Sequence, residues 1–343
     1  MKAAIVEEPN VLRVREVPVP EIDDYHALCE TLYGATCSGT DLHIIKGRFP
    51  FGVDYPTILG HESTGRVIQV GAKVRNLKVG DVISRVGTPP VGGYSSTWGG
   101  FAQFGLACDH WAAEEDGRPR EEWYDDRRQQ IVPPDIDPAH ATMIITWRET
   151  FSYITRMGVA GGDSLLVIGS GGNGLSFAAH GANLGGSPIV MIGNPQREKV
   201  GRAAGATDYF SYTAEDVHTA IKEAHPNGFD FIIDAVGKQG VLDASLGLAK
   251  DGGTVGIYGV DDYGSCVLNP VNAPGSFTYA NRGYDEAQVH EQIIGFVRQG
   301  KLDASLWLGL DDPFSLEDID QAFAAVQQRK FVKALVRICA NPR

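Results

Sequence analysis

The stretch LLVIGSGGNGLSFAAHGANLG (165–185) restricts this chain more than any other. Four consecutive apolar residues, a run of glycines and then apolar residues at helical spacing describe a buried strand that turns directly into a helix. Gly169, Gly171 and Gly174 form a G-x-G-x-x-G pattern at that junction. Gly169 permits the sharp turn, Gly171 lets the backbone approach a pyrophosphate, and Gly174 allows close helix–strand contact. The helix N-terminus adds amide donors and positive partial charge. Such a pattern is weak alone in a chain with 42 glycines. Its context strengthens it: PIVMIG (188–193), FDFIIDAVG (229–237) and GGTVGIYG (252–259) repeat the apolar run. Buried strands alternating with helices predict a doubly wound parallel sheet that binds a dinucleotide.

NAD sites place an acidic residue about 20 residues after the glycines, at the tip of the second strand. Here the strand runs out as VMIGNPQREK (190–199) with no Asp or Glu at its tip. Gly193 leaves room, Asn194 offers hydrogen bonds, and Arg197 can pair with a 2′-phosphate. The expected cofactor is NADP, with NAD as the alternative.

The first 110 residues differ in character. HALCETLY (26–33), TGRVIQVG (64–71) and GDVISRVG (80–87) are alternating or β-branched runs broken by Gly, Pro and Asp, so this part is β-rich. Residues 111–130 are dense in both charge signs and predict a solvated surface excursion, a lid or an oligomer contact. The net charge of −13 argues against nucleic acid or an anionic membrane as the partner. The five cysteines are scattered without a CxxC pair, so no disulfide framework is expected. The opening MKAAIVEEPN lacks an apolar signal core and no apolar run reaches membrane-spanning length. A cytoplasmic protein acting on a small molecule is expected.

In order along the chain stand CSGTDLH (37–43), PTILGHESTGRVIQVG (56–71), KVGD (78–81), GGFAQF (99–104), LLVIGSGGNG (165–174) and a late FVKALVRI (331–338). This series resembles the zinc-type medium-chain dehydrogenase/reductase family, to which alcohol, polyol, threonine and glucose dehydrogenases belong. The resemblance implies an α/β protein with a GroES-like β-rich catalytic domain, 1–152 and 285–343, around a Rossmann domain, 153–284. It makes His61 a metal ligand and Glu62 its neighbour, which ligates or exchanges with water. It gives Thr40 and His43 the task of relaying the alcohol proton, with Asp41 a structural partner at the helix start. A family-like dimer or tetramer is implied.

Two departures bear on the metal. The family writes C-G-[ST]-D, so alignment on GTD places Ser38 at the cysteine ligand position, and only an inserted residue lets Cys37 take its place. The third ligand position falls near Ile145, which cannot bind metal; Glu149, four residues on, would share its helical face. The ligand types Cys37, His61, Glu62 and Glu149 suit zinc, and without a metal His43 or Glu149 would supply the acid. The four-cysteine structural zinc lobe of the family is not expected, because 88–110 contains only Cys108. Lys46, Arg48 and Arg148 bring positive charge to a polyhydroxylated or anionic substrate, or are basic residues of exposed turns. Trp147 lines the pocket or fills the domain junction.

The first function expected is therefore an NAD(P)-dependent, zinc-assisted oxidoreductase interconverting a secondary alcohol and a ketone on a sugar, polyol or cyclitol. A metal-free NADPH-dependent reductase of an activated C=C or C=N bond is the second. A non-catalytic nucleotide-binding protein is the third.

Overall fold

The computed structural model describes residues 1–339. Contacts divide the chain into two compact units. One comprises Met1–Ile145, Glu286–Ile294 and the residues from Asp303 on; the other comprises Thr146–Asp285 and Gly295–Leu302. The border expected at 152/153 thus lies at 145/146, inside the helix Met143–Met157.

In the second unit every strand is parallel. The order across the sheet is Asp208–Ser211, Ile189–Gly193, Leu165–Ile168, Phe229–Asp234, Ala249–Ile257, Phe277–Tyr279. The strands are apolar throughout because helices cover both faces of such a sheet. Leu166, Ile168, Val190, Ile192, Ile232 and Val255 share one buried cluster with Val217 and Ile221 of the helix Val217–Ala224. Each of those side chains contributes roughly 1.5–3 kcal/mol on burial. The chain reverses its winding between Leu165–Ile168 and Phe229–Asp234, whose carboxyl ends therefore open a crevice where ligands bind in this architecture.

The first unit holds two sheets. The smaller runs Val11–Glu16, Lys2–Glu8, Thr57–Ile58, Ser95–Ser96. The larger runs Phe314–Ser315, Leu335–Arg337, His26–Ala35, Glu62–Val70, Val82–Ser84, Gln130–Val132, with Phe104–Cys108 also paired to His26–Ala35. Its ladder contains bulges between Leu28 and Cys29 and between Thr31 and Tyr33, which increase the twist. The late FVKALVRI segment returns here: Leu335 lies opposite Ala35, while Glu62 lies opposite the same Ala35 on the other side. Three distant pieces of sequence are thereby brought to one strand end.

The charged excursion 111–130 is more ordered than its composition implies. It forms the helix His110–Glu115 and 3-10 turns at Arg120–Glu122 and Tyr124–Arg128, and Trp123 is buried against Cys108 and Ala113.

Candidate active site

The strand His26–Ala35 ends one residue before Thr36, which continues the pairing by donating to the Ala334 carbonyl at 3.0 Å. The chain then turns over Ser38–Thr40 into the short helix Asp41–Ile45. Asp41 is wholly buried and sets the geometry. Its Oδ2 accepts the Cys37 backbone N–H at 2.9 Å, and its Oδ1 accepts His61 Nδ1 at 3.0 Å. One carboxylate therefore fixes both the turn that carries the cysteine and the tautomer of the histidine.

Cys37, His61 and Glu62 are all buried, and one donor atom from each lies within 4.8 Å of the others. Ser38 is exposed. Of the two alternatives that the sequence left open, Ser38 faces solvent, while Cys37 lies buried beside His61 and Glu62. A thiolate, an imidazole and a carboxylate suit zinc, whose bonds of about 2.0–2.3 Å such a triad can span with small rotations. The residues present therefore fit the ion that the resemblance implies.

Lys333, which sequence reasoning missed, completes the cluster. Its Nζ lies 2.6 Å from both oxygens of Glu62 and 3.5 Å from the Thr36 carbonyl, in full burial. Burial penalises the Glu62 carboxylate, but Lys333 and then His61 outweigh it and hold the carboxyl down at about 2. Burial likewise opposes charge on Lys333, yet Glu62, Cys37 and Asp41 raise it. Burial opposes the His61 imidazolium, while Asp41, Cys37 and Glu62 together raise it well above its usual range. The site concentrates negative charge that a cation, a lysine or a proton must answer. A lysine flanked on both sides by apolar residues, in VKALV, was the available signal.

Thr40 and His43 sit at the start and on the body of the same short helix, both half-buried. Glu149 belongs to the second unit, where it is buried and accepts a hydrogen bond of 3.3 Å from Tyr258. Arg148 is not an exposed turn residue: it is completely buried in the helix Met143–Met157, as is Trp147 but for 1%. Lys46 and Arg48 are exposed.

In the second unit Gly169 has φ +108°, which favours glycine. Gly171 is the N-cap of the helix Gly172–Asn183, and a Cβ there would enter open space. That is the cradle a pyrophosphate needs. A Cβ on Gly174 would overlap the Gly169 carbonyl, so this glycine serves helix–strand contact. Gly193 also has a packing role. Its missing side chain makes space for the Tyr209 hydroxyl and Ser170. Asn194 donates its N–H to Ser170 Oγ at 2.9 Å, receives the Tyr209 hydroxyl at 2.6 Å on its carbonyl, and caps the turn Pro195–Arg197 with its side chain. Arg197 is half-buried near Tyr209, whose hydroxyl burial raises and Arg197 lowers. Asp234, at the carboxyl end of its strand, was also missed. Its Oδ1 accepts the Val236 and Gly237 amides, while buried Oδ2 has no hydrogen-bond partner among the described residues.

A doubly wound nucleotide-binding unit and a β-rich unit with a Cys–His–Glu cluster, in one chain, define a two-domain nicotinamide-dependent oxidoreductase. Comparisons with known proteins agree. The alcohol dehydrogenase GroES-like domain matches residues 25–114 and the zinc-binding dehydrogenase domain matches 172–282. The chain is 26% identical to D-arabinitol dehydrogenase 1 of Uromyces fabae, over 98% of this chain and 97% of that protein. It is 25% identical to sorbitol dehydrogenase of Bacillus subtilis, over 96% and 94%. Its fold matches a putative zinc-binding dehydrogenase from Sinorhizobium meliloti bound to NADP, with TM-score 0.79, 24% identity and 98% of each chain covered. The chain belongs to the medium-chain dehydrogenase/reductase family and is an NAD(P)-dependent alcohol oxidoreductase. That sets aside the reading as a non-catalytic nucleotide binder. Among the described residues no helix is long and apolar enough to cross a membrane.

Proposed function

We propose that this protein interconverts a secondary alcohol and a ketone on a polyol, sugar or cyclitol, using NADP and a zinc ion held by Cys37, His61 and Glu62. The observation that carries the reading is the convergence of those three buried donors around Asp41. Held by Cys37, His61 and Glu62, a zinc ion would supply Lewis acidity, and bound nicotinamide would supply hydride-transfer chemistry. The remaining work belongs to the chain. Asp41 orients His61 so that Nε2 faces Glu62, 3.5 Å away. Lys333 holds Glu62 ionised and limits how far its carboxylate can turn. The Thr40 hydroxyl receives the substrate proton and passes it towards His43, whose imidazole releases it.

The polyol class is supported by the polyol dehydrogenases among its relatives. NADP is supported by Arg197 together with the lack of an acidic residue at the tip of Ile189–Gly193. Gly169, Gly171 and Gly174 form the pyrophosphate cradle, with Asn194 at the ribose. A metal-free reductase remains the second reading, because Lys333 already satisfies both oxygens of Glu62. Elemental analysis of the wild type, His61→Ala, Cys37→Ser and Ser38→Ala, beside NADP-linked turnover on a polyol panel, separates the two. The zinc reading requires His61→Ala to lose one zinc per chain together with turnover, and Ser38→Ala to keep both. An active wild type without zinc would select the metal-free reductase.

A further inference from the structure

Nine residues back along the strand His26–Ala35, roughly 30 Å at the usual rise per residue, a second group of donors converges. His26 and Cys108 lie directly opposite each other in an antiparallel pair, so their side chains leave the same face. Asp126 reaches them from the 3-10 turn Tyr124–Arg128. A ring nitrogen of His26, Cys108 Sγ and a carboxylate oxygen of Asp126 lie within 4.8 Å of one another. We propose that these three residues form a divalent-cation site of the zinc type, which pins the excursion 111–128 to the sheet.

The surroundings are built for it. Asp23 Oδ1 is 2.7 Å from His26 Nδ1 and is itself anchored by the Tyr25 and His26 amides at 2.9 and 3.0 Å. A carboxylate behind the ring is the usual support of a metal-bound histidine. Gln129 brings the excursion to the strand by accepting the Cys108 N–H at 2.6 Å and donating to the Leu106 carbonyl at 3.1 Å. Cys108 is only 2% exposed, while His26 and Asp126 are half-buried, which leaves a route for an ion. Burial, then Asp126, Asp23 and Asp109, push the Cys108 thiol up, and burial raises the Asp126 carboxyl. Sulfur and imidazole donors favour zinc over calcium or magnesium, and water fills the fourth position. The site is unlike a four-cysteine lobe, and it does not depend on the function proposed above.

The test begins from His61→Ala/Cys37→Ser, which removes the other donor cluster. After equilibration with zinc and desalting, this chain should retain one zinc per molecule. Adding Cys108→Ser or Asp126→Asn should lower the count to none, with the fold checked by circular dichroism. The Asp126→Asn change, at a half-buried position, gives the answer if Cys108→Ser misfolds. Cobalt loaded into the same background should show thiolate-to-metal charge-transfer absorption that Cys108→Ser removes. No zinc in the folded background chain, or zinc that survives both added substitutions, would overturn the proposal.

Discussion

Replacing Lys333 by Met tests the buried charges of the candidate active site most directly. Lys333 and Glu62 side chains are 3% and 1% exposed, so solvent screens neither. Methionine keeps the length and removes the charge, leaving the Glu62 carboxylate without the cation that holds both its oxygens. Removing one partner of a buried pair costs about 3–5 kcal/mol, most of it the penalty of the stranded charge. Replacing both is close to neutral, so Lys333→Met/Glu62→Gln should recover most of the loss. Zinc adds a further discrimination. A freed carboxylate beside Cys37 and His61 becomes a better ligand, so zinc should stabilise Lys333→Met, by about 2.7 kcal/mol at a hundred times its dissociation constant. The double variant should gain less. Denaturant unfolding of the wild type, Lys333→Met and the double variant, with and without zinc, reads all these quantities. A Lys333→Met cost under about 1 kcal/mol, or a double variant no more stable than the single, would refute the reasoning.

Gly171→Asp should fold normally, since its Cβ meets open space, yet lose NADP affinity in calorimetry by bulk and charge. Gly174→Ala should instead destabilise the second unit by about 1–3 kcal/mol, because its Cβ overlaps the Gly169 carbonyl. Arg197→Ala should weaken NADP more than NAD by roughly 1–3 kcal/mol, and equal losses would make Arg197 a bystander. His180 is buried beside Phe151, with Nε2 3.1 Å from Thr150 Oγ1, and burial lowers it to about 3. Its folded value lies below the unfolded one, so the unfolded chain binds the extra proton. Its stabilisation is complete above about pH 6.5 and is lost as pH falls towards 3. Between pH 7 and pH 5 the wild type should lose roughly 2 kcal/mol more than His180→Gln, and parallel pH profiles would contradict this.

What could be read from the sequence divides along local and non-local lines. The Rossmann strands were legible because each is a short apolar run whose meaning depends on its own neighbours. The glycines were legible for the same reason: Gly169 supplies a positive φ at its own position, and Gly174 faces the Gly169 carbonyl five residues back. Gly193 was not, because its role depends on Tyr209 and Ser170, which only sheet register brings against it. Lys333 was hidden by distance along the chain. It lies 271 residues from Glu62, and only the pairing of Leu335 and Glu62 with the same Ala35 brings them together.

Cys37 shows how a one-residue offset is resolved by physics that no spacing rule contains. Within a strand, a shift of one residue would send the side chain to the opposite face. Here the offset falls after the strand has ended at Ala35, in a turn whose geometry Asp41 controls. Asp41 must accept both the Cys37 amide and the His61 ring, because a buried carboxylate without partners is costly. That requirement fixes Cys37 and leaves Ser38 to solvent. Asp41→Asn separates this account from simple proximity. The amide keeps the shape but can present only one acceptor oxygen, so either the Cys37 N–H or His61 Nδ1 loses its partner. Zinc affinity should fall about 10–100-fold, as for other residues that support a metal-bound histidine, while the protein remains folded. Unchanged zinc affinity in Asp41→Asn would mean that Cys37 and His61 find their places without it.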